Sequence, residues 1–179
     1  MNKKTCPLTM SQYSLIVAYL RQRYKPVIAD ALVCQACTGL RISDVLQLRL
    51  SDIVWDGMAY RLDIVEKKTK KQRRFIIRAD VYDWLRSLSR SSELPLFPVT
   101  ARRLQQCLQS AAHELGFGSG IGTHSFRKLF ACQLYTLSGR DIMLVSHALQ
   151  HSSVATTQRY VAVSDLEVDR VLKEYDALI

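Results

Sequence analysis

The chain has 179 residues, enough for one ordinary domain with a single core and short for two. Its formal charge of +9 points to a polyanionic partner, and nucleic acid comes ahead of a membrane surface because no basic amphipathic surface helix stands out. No apolar run approaches the roughly 18 residues of a membrane span, and residues 1–6 are polar with no signal-peptide core after them, so a soluble, intracellular protein is expected.

Residues 1–7 read as a short arm, after which Thr9-x-x-Gln12 forms a capping box ahead of the periodic positions Tyr13, Ile16, Val17 and Leu20. That first helix ends at Pro26, and a more uniformly apolar helix over residues 27–37 is expected at the centre of the core. The second helix holds Cys34 and Cys37, a C-x-x-C within ALVCQACTGL. No second cysteine pair stands at metal spacing, so the five cysteines are expected to be reduced and structural, with no metal bound.

Gly39 is placed as a helix stop and Ser43 as the next start, which leaves Arg41 in a tight turn between two buried helices. A guanidinium there needs a partner: Asp44 is the structural choice, an incoming anion the functional one. From residue 50 to residue 77 the pattern changes to short strands. Asp56-Gly57 marks a turn, Tyr60, Leu62 and Ile64 alternate with Arg61, Asp63 and Val65, and Phe75-Ile76-Ile77 resumes an apolar strand. The last hairpin of this small antiparallel sheet carries Lys67, Lys68, Lys70, Lys71, Arg73 and Arg74 at or near its tip. Lysine-rich tips are also ordinary solvated turns that protect a sheet edge.

Asp80 is read as the cap of a further helix through Val81, Trp84, Leu85 and Leu88. Residues 89–98 follow as a surface connection, then a helix over residues 101–115 and a flexible lead-in containing Gly116, Gly118, Gly120 and Gly122. Residues 123–160 predict two or three short helices. His124 and Arg127 stand at i and i+3 on one face, able to grip one phosphate together. Between His151 and Tyr160 lies the small, hydroxyl-rich run SSVATT, residues 152–157, which suits a short helix capped by Ser152 or Ser153 that carries Tyr160 back to the His124/Arg127 face. A tyrosine among arginines and histidines is a candidate nucleophile, although such a pair occurs on any basic helix and a lone tyrosine is usually a packed aromatic. Ser164-x-x-Glu167 opens a terminal helix with the apolar stripe Leu166, Val168, Val171, Leu172, Tyr175 and Leu178.

Taken in order, TGLRISDVLQLRLSDI, the basic hairpin before FII, THSFRKLFA and ALQHSSVATTQRY make the chain resemble the catalytic domain of tyrosine recombinases, the phage-integrase family, over about residues 8–173. The resemblance implies an α+β fold, mainly α-helical with a small antiparallel sheet. In a departure from the family, which typically carries a separate N-terminal core-binding domain, only an arm and one helix precede Val27, so a single catalytic domain over residues 1–179 is expected, either a catalytic fragment or a naturally short recombinase. The implied activity is site-specific recombination or integration, in which DNA is cut and rejoined through a 3′-phosphotyrosyl ester without metal, ATP or other cofactor.

By the same resemblance Tyr160 is the nucleophile, Arg41 and Arg127 hold the non-bridging phosphate oxygens, His124 is the base or hydrogen-bond donor, and His151 orients the phosphate. Lys68 matches the hairpin lysine that protonates the leaving 5′-oxygen; Lys67, Lys70 and Lys71 are close alternatives. Lys67, Lys70, Lys71, Arg73, Arg74 and Arg159 are expected to contact DNA. The implied partners are double-stranded DNA and further copies of the chain, as a tetramer on paired sites with the terminal helix docked on a neighbour. That helix's stripe would suit packing on its own core equally. Leu149-Gln150-His151 stands where the family has Leu-Gly-His, which predicts a looser turn before His151. Two other readings keep the fold: a DNA-binding protein that no longer cuts, against which the full residue set counts, and a type IB topoisomerase, against which the compact HSSVATTQRY segment counts.

Overall fold

The computed structural model describes residues 5–24, 26–158 and 160–161. Among them the elements run α1 (Met10–Arg23), α2 (Pro26–Thr38), α3 (Ile42–Val45), β1 (Ile53–Trp55), β2 (Tyr60–Val65), β3 (Gln72–Ile77), α4 (Ala79–Leu88), α5 (Ala101–Glu114), α6 (Thr123–Leu137), α7 (Ile142–Ala148) and α8 (Val154–Gln158). The expected class, mainly helical with one small antiparallel sheet, is the one observed.

Helix α1 starts where its capping box dictates, with the Gln12 N–H donating to Thr9 Oγ1 at 3.1 Å and the Thr9 N–H to Gln12 Oε1 at 3.0 Å. Pro26 then serves as the first residue of α2, where its missing N–H costs nothing. Helix α2 is central because it has almost no polar face: Ile28, Ala29, Ala31, Leu32 and Cys34 are all buried, and α1 and α6 pack against it. Each fully buried Leu or Ile contributes about 1.5–3 kcal/mol. Burial also pushes the Cys34 thiol pKa up, as expected of a structural cysteine. Tyr13 of α1 meets Phe126 of α6 edge-on at 6.0 Å between ring centres.

The sheet has the order β1-β2-β3, all antiparallel, with Ile53 opposite Leu62 and Leu62 opposite Phe75. Its period of two puts Ile53, Leu62 and Ile77 in the core and leaves Val54 and Ile76 exposed on the other side. Arg73 shares the parity of Phe75 and Ile77, so the same rule turns it inward.

Several boundaries differ from the sequence expectation. α3 begins at Ile42 with Arg41 as its N-cap, not at Ser43, and α4 begins at Ala79 with Arg78 as its cap, while Asp80 sits in the first turn and pairs with Arg78 at 2.6 Å. The connection over residues 89–98 is not all surface, because Leu96 and Phe97 enter the core and the Leu96 N–H donates to Leu48 O at 2.8 Å. The glycine lead-in is tied down: the Cys6 N–H donates to Gly120 O at 3.0 Å and the Gly122 N–H to Ser125 Oγ at 3.2 Å. The capping box at Ser164, the terminal stripe and Arg159 lie outside the described residues. Beyond the main core, Ala131, Val145 and Leu149 form a second small cluster of α6 and α7, on which Phe130, Leu134, Tyr135 and Tyr160 pack.

Candidate active site

The site is built on the end of α2. Gly39 follows its last residue at φ +64, a left-handed conformation that glycine adopts without strain, and an added Cβ would overlap the Phe130 ring. The turn presents the Gly39 carbonyl to α6, where Arg127 Nη1 donates to it at 2.6 Å, while Nη2 donates to Leu149 O at 2.8 Å. Arg127 is 1 % exposed, so these carbonyls replace the water its cation has lost. Burial first, then the nearby Arg41 and Arg73 charges, push its pKa down to about 10, against the opposing pull of Tyr160 and Glu66. Arg127 therefore stays cationic near neutral pH.

The same guanidinium lies 3.3 Å from His151, Nη2 to Nε2. Arginine only donates, so Nε2 is the acceptor, Nδ1 carries the proton, and the Nδ1–H donates to Thr157 Oγ1 at 2.9 Å. Burial, followed by the Arg127, Arg41 and Arg73 charges, pushes the His151 pKa down to about 4, which matches the neutral tautomer. The turn that delivers His151 is not looser than a glycine turn. The Gln150 N–H donates to His147 O at 2.9 Å and the His151 N–H to Ser146 O at 3.0 Å, the paired bonds of a Schellman motif, with Gln150 itself at φ +51. Gln150 accepts a conformation that favours glycine, and its Nε2 donates to Gln72 O of β3 at 2.9 Å, which ties the turn to the hairpin.

Tyr160 follows α8, its N–H donating to Thr157 O at 2.8 Å. Its ring meets His151 edge-on, 5.1 Å between centres at 85°, and Lys128 Nζ lies 5.2 Å from the ring centre. His124, in the first turn of α6, is exposed at its outer edge; partial desolvation and then the Arg127, Lys128, Arg41 and Lys68 charges lower its pKa. Arg41, Lys68, His124, Arg127, His151 and Tyr160, drawn from four separated stretches of sequence, thus share one basic neighbourhood.

Two expectations are corrected at the hairpin. Arg41 is paired by Glu66, through Nη1 and Oε2, and not by Asp44, whose Oδ1 instead accepts the Lys67 N–H at 2.9 Å. Arg73, grouped from sequence with the DNA-facing cations, is 2 % exposed: its Nη1 donates to Glu66 Oε1 at 3.2 Å and its Nη2 to Thr38 O at 3.1 Å. Strand parity turns it inward, and its charge is spent inside the protein. Lys67, Lys68, Lys70, Lys71 and Arg74 remain exposed, with Lys68 in the turn itself.

Sequence reasoning missed two residues. Glu66 is a lone acid at the root of a basic hairpin, a signal present in VEKKTKK but lost among its lysines. Lys128 is 6 % exposed, and its Nζ donates to Thr5 O of the N-terminal arm while lying over the Tyr160 ring. Nothing in FRKLF marks that lysine as buried rather than as another surface cation.

The sequence profile of the phage integrase family matches residues 7–167. The chain belongs to the phage integrase family. Among curated relatives of this family it is 29 % identical over 137 residues to the probable integrase/recombinase YoeC of Bacillus subtilis, covering 72 % of this chain and 73 % of that protein. It is 30 % identical over 150 residues to the tyrosine recombinase XerC of Xanthomonas axonopodis, covering 78 % of this chain but 47 % of the relative, so it spans about half of that protein's length. Among solved structures, the catalytic domain of bacteriophage HP1 integrase shares the fold at TM-score 0.69 and 22 % identity, with 95 % of each chain covered. The XerH recombinase bound to its difH substrate does so at TM-score 0.68 and 21 % identity, over 98 % of this chain and 56 % of that one.

Proposed function

We propose that this chain is the single catalytic domain of a site-specific DNA recombinase or integrase that cuts and rejoins double-stranded DNA through a 3′-phosphotyrosyl intermediate. Tyr160 Oη attacks the scissile phosphorus, forming the Oη–P bond as the P–O5′ bond breaks. His124 takes the phenolic proton, a role served by the lowered pKa that keeps its imidazole unprotonated near neutrality. Lys68 gives a proton to the departing O5′. Arg41 and Arg127 hold the non-bridging oxygens and balance the charge that develops on them, while His151 orients the phosphate. One phosphoester replaces another, so the bond energy is kept, and a 5′-hydroxyl from a second strand reverses the step to complete an exchange without ATP. With the arginines supplying the charge stabilisation, the mechanism calls for no metal.

The reading rests chiefly on one observation: Arg127, buried and cationic, is fixed 3.3 Å from His151, whose ring in turn meets Tyr160 at 5.1 Å. The naming of the relatives as integrases and tyrosine recombinases supports it. On DNA the protein would act as a tetramer on paired sites, in the cytoplasm with the nucleoid, with Lys67, Lys70, Lys71, Arg74 and Arg159 on the DNA backbone.

Incubation with a nicked suicide DNA carrying the site of its host element is expected to trap a covalent adduct. Tyr160→Phe should bind that DNA and form none. An adduct formed by the Phe variant would remove Tyr160 from the mechanism.

A further inference from the structure

We propose that Glu66 is a positioning residue for strand cleavage, its buried carboxylate fixing the Arg41 guanidinium and the Lys68 hairpin as one unit. The inference rests on the function proposed above and adds to it a residue that touches neither substrate nor reacting atoms.

Glu66 is 0 % exposed, directly after the last residue of β2. Its Oε2 accepts from Arg41 Nη1 and, at 2.8 Å, from Thr69 Oγ1 within the hairpin turn; its Oε1 accepts from Arg73 Nη1 at 3.2 Å. The Glu66 main chain closes the same turn, its N–H donating to Lys71 O at 3.0 Å and its carbonyl accepting the Lys70 N–H at 2.9 Å. The segment that carries Lys68 is therefore folded around Glu66 by both backbone and side chain. Arg73 extends the connection, because it reaches Thr38 O beside the Gly39 carbonyl that holds Arg127. Desolvation opposes ionisation of Glu66, yet Thr69, Arg41 and Arg73 outweigh it and hold its pKa below the ordinary carboxylate value.

A carboxylate placed among cations that receive a phosphate weakens the binding of that phosphate. Its contribution must then lie in geometry, since a misplacement of about 1 Å at a reacting centre costs about 10²-fold in rate. Removing the charge while keeping the shape separates the two effects.

The test compares the unaltered protein with Glu66→Gln on two suicide DNAs, one with the normal 5′-oxygen and one with a bridging 5′-sulfur at the scissile position. A thiolate leaves without a proton from Lys68. Glu66→Gln is expected to bind DNA as tightly as the unaltered protein or more tightly, and to form the adduct about 10²-fold more slowly on the oxygen substrate. That defect should shrink by about tenfold or more on the sulfur substrate. A parental rate for Glu66→Gln, a loss of affinity that accounts for the loss of rate, or an equal defect on both leaving groups would overturn the inference. Should Glu66→Gln not fold, Glu66→Asp keeps the charge and withdraws it by one methylene; it should show the same defect and the same relief by sulfur, and a parental rate in that variant would overturn the inference too. An unaltered protein that forms no adduct on either DNA refutes the proposed function itself, a result distinct from parity between the two proteins.

Discussion

At the scale of single residues, the site is organised by what burial demands of each charge. Arg127 keeps its cation because Gly39 and Leu149 offer carbonyls in place of water, whereas His151, half-buried beside three guanidinium groups, gives up its proton. The consequence for stability has a definite sign. The His151 pKa falls from 6.5 to about 4 on folding, so the unfolded chain binds the proton first as pH drops. Stability from the neutral ring is complete above pH 6.5 and is lost as pH falls through the window toward about 4, with His124 contributing in the same direction. Thermal unfolding followed across that window should show a falling midpoint, with a shallower fall in His151→Gln. Parallel curves for the two proteins would show that His151 titrates as freely when folded as when unfolded. Tautomer and protonation were not legible in HSSVATTQRY, because they depend on Arg127 and Thr157 arriving from other elements.

At the scale of elements, turns do the positioning. The stop after α2 and the turn after α7 each place one carbonyl on Arg127, and each needs a residue at positive φ, Gly39 at +64 and Gln150 at +51. Gly39→Ala should therefore be costly in two ways. The left-handed conformation costs about 1–2 kcal/mol for a residue with a Cβ, and that Cβ overlaps the Phe130 ring. Denaturant unfolding is expected to show a loss of about 2 kcal/mol or more. A loss under about 0.5 kcal/mol would mean that the turn relaxes freely. Gly39 as a helix stop was readable from TGLR, since glycine after an apolar helix is a strong signal. The turn at Gln150 reads as loose from sequence because glutamine rarely adopts the conformation that its backbone bonds impose there. Arg73 differs for another reason: hairpin cations invite a DNA reading, although strand parity places it with Phe75 and Ile77.

At the scale of the whole molecule, the formal charge of +9 is concentrated in part on one exposed hairpin, where Lys67, Lys68, Lys70, Lys71 and Arg74 face solvent beside the candidate site. A protein that neutralises about 6–10 phosphates should lose about 10³–10⁵ in DNA affinity between about 50 and 200 mM salt. Binding isotherms on duplex DNA at several salt concentrations measure that slope, and a nearly flat response would argue against the phosphate backbone as the partner of this face. Combining Lys70→Ala with Lys71→Ala should reduce the slope by about two phosphates.

The sequence alone determined the class of the fold, most helix boundaries, and the order of the chemical motifs, because those depend on local signals: capping boxes, glycine stops, apolar periodicity and short residue patterns. The pairing of charges was decided only by the tertiary structure. Arg41 meets Glu66 across 25 positions of chain and Arg127 meets Gly39 across 88, and no local pattern ranks Glu66 above the nearer Asp44 as the partner of Arg41. The same holds for Lys128, whose burial follows from where the arm at Thr5 and the ring of Tyr160 come to lie. A residue's propensity is local and can be read in order. Its desolvation and its partners depend on which distant surfaces are brought against it, and those quantities lower the pKa values of His124, Arg127 and His151.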